Sequence, residues 1–199
     1  MKNKIILTDA DGVLLDWEYA FDVYLQTHGF NKVEGGEFKY DISKRYGIDR
    51  EQGKKLIKIF NESAAIGFLP PLRDAMFYIK RLHEEHGYVF HCITSLSKDK
   101  NAQELRKMNL KKLFGKTAFE KFIFLDTGAD KDEVLEQYRD AGYHWVEDKI
   151  INAQVGHDLG LKSLLMEHGH NMDADVSFPK VKNWKEIYDI IVGRSTDRI

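Results

Sequence analysis

The sequence predicts an α/β fold: a doubly wound, Rossmann-like parallel sheet with a small helical cap inserted after the first strand. Three observations carry this. From Tyr88 onward, short apolar runs alternate with helix-like segments at βαβ lengths, the pattern of a parallel sheet with right-handed crossovers. Near the start, "KIILT" (4–8) is one more apolar run of the kind that forms a central parallel strand. Between the two, the stretch from Asp16 to Phe68 breaks the alternation and reads as mostly helical, an insertion rather than a separate domain on a linker. The expected division is a core of residues 1–16 and 69–199 and a cap of residues 17–68.

Each element has its own signal. After "KIILT" the segment from Asp16 to about His28 is helix-like and rich in aromatics, and "NKVEGGEFKYD" is a polar loop with paired glycines. "DREQGKKLIKIFNESAAIGF" reads as one helix with Asp49 as its N-cap. The Pro-Pro of "LPPLRDAMFYIKRLHEEHG" punctuates, and a helix then runs to Gly87 with Leu72, Met76, Ile79 and Leu82 on its apolar face. The strands that follow are "YVFHCI", "KFIFL", "YHWVE" and "KSLLM", separated by the helices "KDKNAQELRKMNL", "DKDEVLEQYRDAG" and "KIINAQVGHDLG"; "NWKEIYDIIVG" is the last helix.

Composition sets outer bounds. The chain has 199 residues, 43% apolar and 31% charged, which reads as an ordinary soluble globular protein with one core. A net charge of -2 gives no bulk attraction to a nucleic acid polymer or an anionic membrane. The apolar run after Met1 ends in aspartates and does not read as a signal peptide, and no stretch is long enough to span a bilayer. A lone cysteine, Cys92, excludes an internal disulfide and fits a reducing, cytoplasmic compartment. The oligomeric state is left open.

The chemistry is expected at the carboxyl ends of the strands, where open parallel sheets bind ligands. The first strand delivers Asp9 and Asp11, two acids one residue apart whose repulsion a bound cation would offset. "YVFHCI" delivers Thr94 and Ser95, "KFIFL" leads to Asp126, Thr127 and Lys131, and "YHWVE" delivers Glu147 and Asp148. Hard carboxylate oxygens without soft ligands favour Mg²⁺ over zinc, and a magnesium ion, a hydroxyl and a lysine together suit a phosphoryl group. An EF-hand loop does not fit, because Gly12 follows Asp9 too soon.

With these residues in place, the chain resembles the haloacid dehalogenase (HAD) superfamily of phosphohydrolases. "DADGV" is similar to the first motif, Asp-x-Asp-x-Thr/Val, and "CITS" to the second, on Thr94; "DKDEVL" supplies a third-motif lysine at Lys131, and "WVEDKIINAQVGHDLGLKSLLM" resembles the fourth. The resemblance covers the core. It implies Asp9 as nucleophile forming an aspartyl-phosphate, Asp11 as general acid and base, Thr94 with Ser95 at the phosphoryl oxygens, and Lys131 offsetting charge. It implies Mg²⁺ held by the Asp9 carboxylate, the Asp11 carbonyl and Asp148, with Glu147 nearby. Two points stay open. The lysine lacks a Gly-Lys-Pro setting, so Lys98 or Lys100 are alternatives, and the sequence does not choose between Glu147 and Asp148 as metal ligand.

"DADGVLLDW" and "CITS" also resemble the 5'(3')-deoxyribonucleotidases locally, which makes a nucleoside monophosphate the first expectation for a small phosphorylated substrate. Trp17, nearest the catalytic loop among the cap aromatics Trp17, Tyr19, Phe21 and Tyr24, is the expected base-stacking residue. A phosphosugar mutase of the β-phosphoglucomutase kind, a phosphoglycolate phosphatase, and a non-catalytic binding or regulatory protein are the alternatives. "HC" at His91-Cys92 hints at a thiolate phosphatase, but Lys98 stands where that chemistry needs arginine and no glycines let the loop wrap a phosphate, so Cys92 reads as a buried strand residue. His83 with His86, and His168 with His170, read as surface histidines.

Overall fold

The computed structural model describes residues 4–193. Among them, a parallel sheet of six strands forms in the order β3-β2-β1-β4-β5-β6, with β1 (Ile5–Thr8), β2 (Val89–Ser95), β3 (Phe119–Leu125), β4 (His144–Glu147), β5 (Lys162–Met166) and β6 (Lys180–Val181). The strand period of two sorts β1 between the two faces: Ile6 packs into one core, Ile5 and Leu7 into the other. Both faces are covered, as parallel sheets require. Helices α4 (Ala75–Glu84), α5 (Lys100–Phe114) and α8 (Trp184–Val192) contribute Ile79, Leu110 and Trp184 to the first core. Helices α6 (Asp132–Glu136) and α7 (Ile150–Asp158) contribute Leu135 and Val155 to the second.

Residues 17–68 carry α1 (Trp17–Thr27), α2 (Ile42–Tyr46) and α3 (Arg50–Asn61). The chain leaves the core beside Leu15 and returns beside Pro71, and the two passes are tied by Asp16 N–H to Pro70 O and Leu72 N–H to Leu14 O, each 2.9 Å. Asp16 caps α1 through the Tyr19 amide, and Asp49 caps α3 through the Glu51 amide.

Several expectations are corrected. The helix foreseen through Phe68 stops at Asn61, because Ser63 accepts the Ala65 amide and starts a separate 3₁₀ turn over Ala64–Gly67. Between the glycine loop (31–41) and α3, a stretch for which no element was expected carries α2, capped by Asp41 and ended by Gly47 in the left-handed region. Met76 is exposed rather than on the apolar face of α4; Ala75, Ile79 and Leu82 are the buried positions. Strand β6 lies in a stretch that carried no strand signal, and at two residues it is too short to show one. Cys92 is fully buried in β2, and burial pushes its thiol well above the ordinary range, so it offers no thiolate. Among the described residues no helix is long and apolar enough to cross a membrane.

Candidate active site

Register brings the site together. Thr8 pairs with Cys92 on one side and Val146 on the other, so Asp9 and Glu147, one residue further along their strands, and Thr94, two further along β2, emerge at one sheet edge. The Asp9 amide still donates to Val146 O at 3.0 Å, which fixes its start. Beyond Asp9 the chain turns back at once: Leu14 and Leu15 amides return to Ala10 O at 2.8 and 2.9 Å, and Gly12 takes φ 72°. A side chain at Gly12 would place its Cβ 2.4 Å from Asp148 Oδ2, so only glycine lets the loop lie against that carboxylate. Trp184 holds the loop from beneath by donating its indole N–H to Val13 O at 2.8 Å.

Lys131 is the centre of the charge network. Its ammonium is buried, 2.9 Å from Asp9 and 2.7 Å from Glu147. Burial opposes its charge, but the two carboxylates outweigh burial and hold the lysine above its ordinary range. Lys98 instead stands on the surface, paired with Asp126 at 3.3 Å, and Lys100 bonds Gln103 at 3.1 Å. Lys131 is therefore the lysine that reaches Asp9.

Glu147 and Asp148 separate by what they touch. Glu147 accepts from Lys131, from the Asp148 and Lys149 amides at 3.0 and 2.9 Å, and from Asn152 at 3.3 Å. Burial raises its carboxyl, but Lys131 and these donors outweigh it, and the group is held below its usual range. Among the described residues Asp148 has no such donors on its carboxylate, and His170 stands 3.8 Å from it. Burial, with Glu147 and Asp9 beside it, pushes Asp148 well above the usual carboxylate range. Asp9 is pushed up to about 7 by burial, against Lys131, with Glu147 and Asp11 adding. Asp9, Glu147 and Asp148 each offer an oxygen within 4.8 Å of the others. That all-oxygen set suits a hard divalent cation; Lys131 pairs with both Asp9 and Glu147, which leaves Asp148 as the carboxylate of the three without that partner. A cation there would reverse the upward shifts of Asp9 and Asp148.

The hydroxyls also differ. Thr94 is buried and its Oγ1 has no hydrogen-bond partner among the described residues, a donor left for a ligand. Ser95 Oγ donates to Ala129 O at 2.8 Å, so its proton is already committed. Neither caps α5, which is capped by Asp99 through the Ala102 amide at 2.7 Å.

Four residues join the site beyond those expected from the sequence. Arg106, fully buried on α5, puts Nη1 2.7 Å from Asp11 Oδ1 and donates Nη2 to Oδ2 at 3.2 Å. Burial raises the Asp11 carboxyl and Arg106 opposes it; the guanidinium also fixes where Asp11 points. His168 and His170 are not surface residues: both line the cavity, with His168 Nε2 2.6 Å from Gly12 O and the two rings stacked at 5.6 Å. Burial, and His168 beside it, push His170 down to about 4, so it is neutral. Tyr40, 58% exposed, reaches from the cap edge-on to His170 at 5.1 Å. The histidines follow the end of β5, so the strand-end rule, carried one strand further, finds them.

The cavity they share is about 940 Å³ and lies between the sheet edge and the cap. Trp17 lines it, with one face stacked on Phe21 at 4.5 Å and its indole N–H donating to Asn61 at 2.9 Å. Of the other cap aromatics, Phe21 is buried, Tyr24 packs against Phe60 and Tyr19 is exposed.

This architecture is the fold of the HAD-superfamily hydrolases. The chain superposes on the HAD-hydrolase YfnB from Bacillus subtilis, solved with magnesium, at a TM-score of 0.60 and 15% identity, covering 96% of this chain and 99% of that one. The D,D-heptose 1,7-bisphosphate phosphatase from B. bronchiseptica, complexed with magnesium and phosphate, matches at 0.58 and 11%, covering 96% and 99%. CbbY from Rhodobacter sphaeroides, with phosphate, matches at 0.60 and 13%, covering 93% and 96%. In sequence, the chain is 30% identical over 141 residues to an uncharacterized 32.4 kDa protein of the Gp30-rIII intergenic region of Enterobacteria phage T4. That match takes in 68% of this chain, which spans about half (49%) of the phage protein's length. No protein-family model matches the chain.

Proposed function

We propose that the protein is a Mg²⁺-dependent phosphomonoesterase acting through an aspartyl-phosphate on a small phosphorylated metabolite. One observation supports this above the rest: a buried lysine is locked between Asp9 and Glu147, which leaves Asp148 open beside Asp9 for a cation. Asp9, the Asp11 carbonyl and Asp148 would hold Mg²⁺, which would supply charge neutralisation at the phosphoryl oxygens. An Asp9 oxygen attacks phosphorus as the ester P–O bond breaks, and Asp11 gives its proton to the departing oxygen. Asp11 then takes a proton from water, whose oxygen attacks phosphorus and breaks the bond to Asp9, releasing phosphate. Thr94 Oγ1 donates to a phosphoryl oxygen, and Lys131 offsets the charge gathered at Asp9. Phosphate released from p-nitrophenyl phosphate with Mg²⁺, and lost on adding EDTA, tests the reading; no release above background overturns it.

The acid role predicts a leaving-group effect. Asp11→Asn should lower turnover of alkyl phosphates by roughly 10²–10⁴-fold, the usual scale for acid–base catalysis. p-Nitrophenyl phosphate needs little protonation of its leaving group and should lose less in the first step. Equal losses for both would count against Asp11 as the acid.

For substrate we favour a nucleoside monophosphate, its base on the free face of Trp17. Trp17→Ala should raise KM for such a nucleotide by roughly 5- to 150-fold, the equivalent of ~1–3 kcal/mol of stacking. The measurement is the ratio of that change to the change for p-nitrophenyl phosphate. A ratio of one would mean that Trp17 acts only through its packing on Phe21, and the base-stacking role would fall.

A further inference from the structure

An arginine inside an apolar core is a poor source of stability, and Arg106 is one. Its side chain is fully buried on α5, on the face that also carries Ala102 and Leu110 into the first core. Taking a guanidinium out of water costs more than a well-packed apolar side chain would, unless its donors are matched. Here they are matched in part: Nε is buried with no hydrogen-bond partner among the described residues. One carboxylate answers the charge, with Nη1 2.7 Å from Asp11 Oδ1 and Nη2 donating to Oδ2 at 3.2 Å. Leucine or methionine would serve the core better, so what the arginine supplies is its contact with Asp11.

Asp11 needs that contact. The last torsion of an aspartate is broad, while proton transfer requires an oxygen aimed at the reacting atom. The Asp11 side chain opens in part on the cavity, and Arg106 stands behind it. Among the described residues no other group donates a hydrogen bond to its carboxylate. The arginine is itself held in place. Gln103, Arg106 and Asn109 fall at i, i+3 and i+6 on the buried face of α5. Gln103 donates to Ser97 O at 2.8 Å, in the loop after β2, and Asn109 donates to Leu69 O at 3.1 Å, where the chain returns from the cap. The helix is thus tied down on both sides of Arg106.

We infer that Arg106 is the positioning residue for Asp11: without touching substrate, its guanidinium holds the carboxylate with an oxygen facing the bond that breaks. Each carboxylate oxygen has a second lone pair, so the pair with Arg106 leaves room for a proton. Asp11 gives that proton to the departing oxygen as the ester P–O bond breaks, and takes one from water as the water oxygen attacks phosphorus. The inference rests on the phosphomonoesterase reading for what Asp11 does, and it adds what aims it.

The test compares benzyl phosphate, which leaves as an alkoxide, with p-nitrophenyl phosphate, which needs little protonation. Arg106→Lys keeps a positive charge but not the planar fork. It should lower kcat for benzyl phosphate by ~10- to 100-fold, the scale of a misplaced reacting group, with KM little changed and a smaller loss for p-nitrophenyl phosphate. Both rates come from one preparation, so their ratio is unaffected by any fraction that fails to fold. Arg106→Met should change the ratio in the same direction. In an Asp11→Asn background, with no acid left to aim, Arg106→Lys should add little to the loss. Equal losses for the two substrates, or losses that simply multiply in the double variant, overturn the positioning role. Crystal structures of the wild type and Arg106→Lys read the position itself: the Asp11 carboxylate should turn away in the variant, and one that keeps its place overturns the inference whatever the rates. Should the wild type release no phosphate from either substrate while Asp11 turns away in the variant, the phosphomonoesterase reading falls and the positioning of Asp11 by Arg106 stands.

Discussion

Asp9→Asn protein should retain its fold and lose at least ~10³-fold in turnover, several kcal/mol of barrier. The substitution is nearly isosteric, and the amide of Ala10, which donates to Asp9 Oδ1 at 2.6 Å, can still find an oxygen on asparagine. What goes is the attacking charge and one of the three clustered carboxylates, Asp9, Glu147 and Asp148. An Asn side chain also ends the 2.9 Å ion pair with Lys131, but Glu147 keeps the lysine neutralised at 2.7 Å, so the packing should survive. Steady-state turnover of p-nitrophenyl phosphate, together with a urea melt, checks both halves. Near-normal turnover in a folded Asp9→Asn protein would place the nucleophile elsewhere. A second check is direct: the wild-type protein, quenched in acid during turnover, should carry phosphate on Asp9, and the variant should not.

Much of this site could be read from the chain because each part ends an apolar run. Asp9, Thr94 and Glu147 sit where β1, β2 and β4 stop, and strands announce themselves by their composition. Lys131 was reachable for the same reason, since it opens the helix after β3. Arg106 was not. It lies in a helix that also carries Lys100, Lys107, Lys111 and Lys112, so in one dimension it looks like one more solvated cation. Only the crossover from β2, which lays α5 over the first core, turns that position inward toward Asp11. Tyr40 sits in a loop-like stretch for which glycines and charges gave no direction, and its nearness to His170 arises from how the cap folds back. The break after Asn61 was legible in principle: Ser63 is a good cap residue, but the apolar run from Ala64 masked it.

Lys131→Met should be the most destabilising single change at the site, by ~3–5 kcal/mol, because it leaves carboxylates buried without their counter-charge. The ammonium is nearly inaccessible, at 1% exposure, and so is the Glu147 side chain, at 0%. Methionine fills a similar volume and packs against Trp145, over whose ring the ammonium now sits at 5.2 Å, so lost packing accounts for little of the effect. The sign of the pH dependence separates charge from packing. Without the lysine, Asp9 and Glu147 both favour their protonated forms in the folded state, with folded pKa values above their unfolded ones. Stability of that origin is fully present below the unfolded carboxylate range and is lost as pH rises through the folded pKa. The deficit against the wild type should therefore be largest near pH 8 and narrow toward pH 5. Urea unfolding at several pH values, with EDTA present so that no cation substitutes for the lysine, reads it out. A deficit below about 1 kcal/mol, the scale of an exposed pair, would mean that the ammonium does not hold this site together. A deficit that does not change with pH would assign the loss to packing. Activity should fall with stability, since Asp9 loses the group that keeps its attacking oxygen ionised and in place.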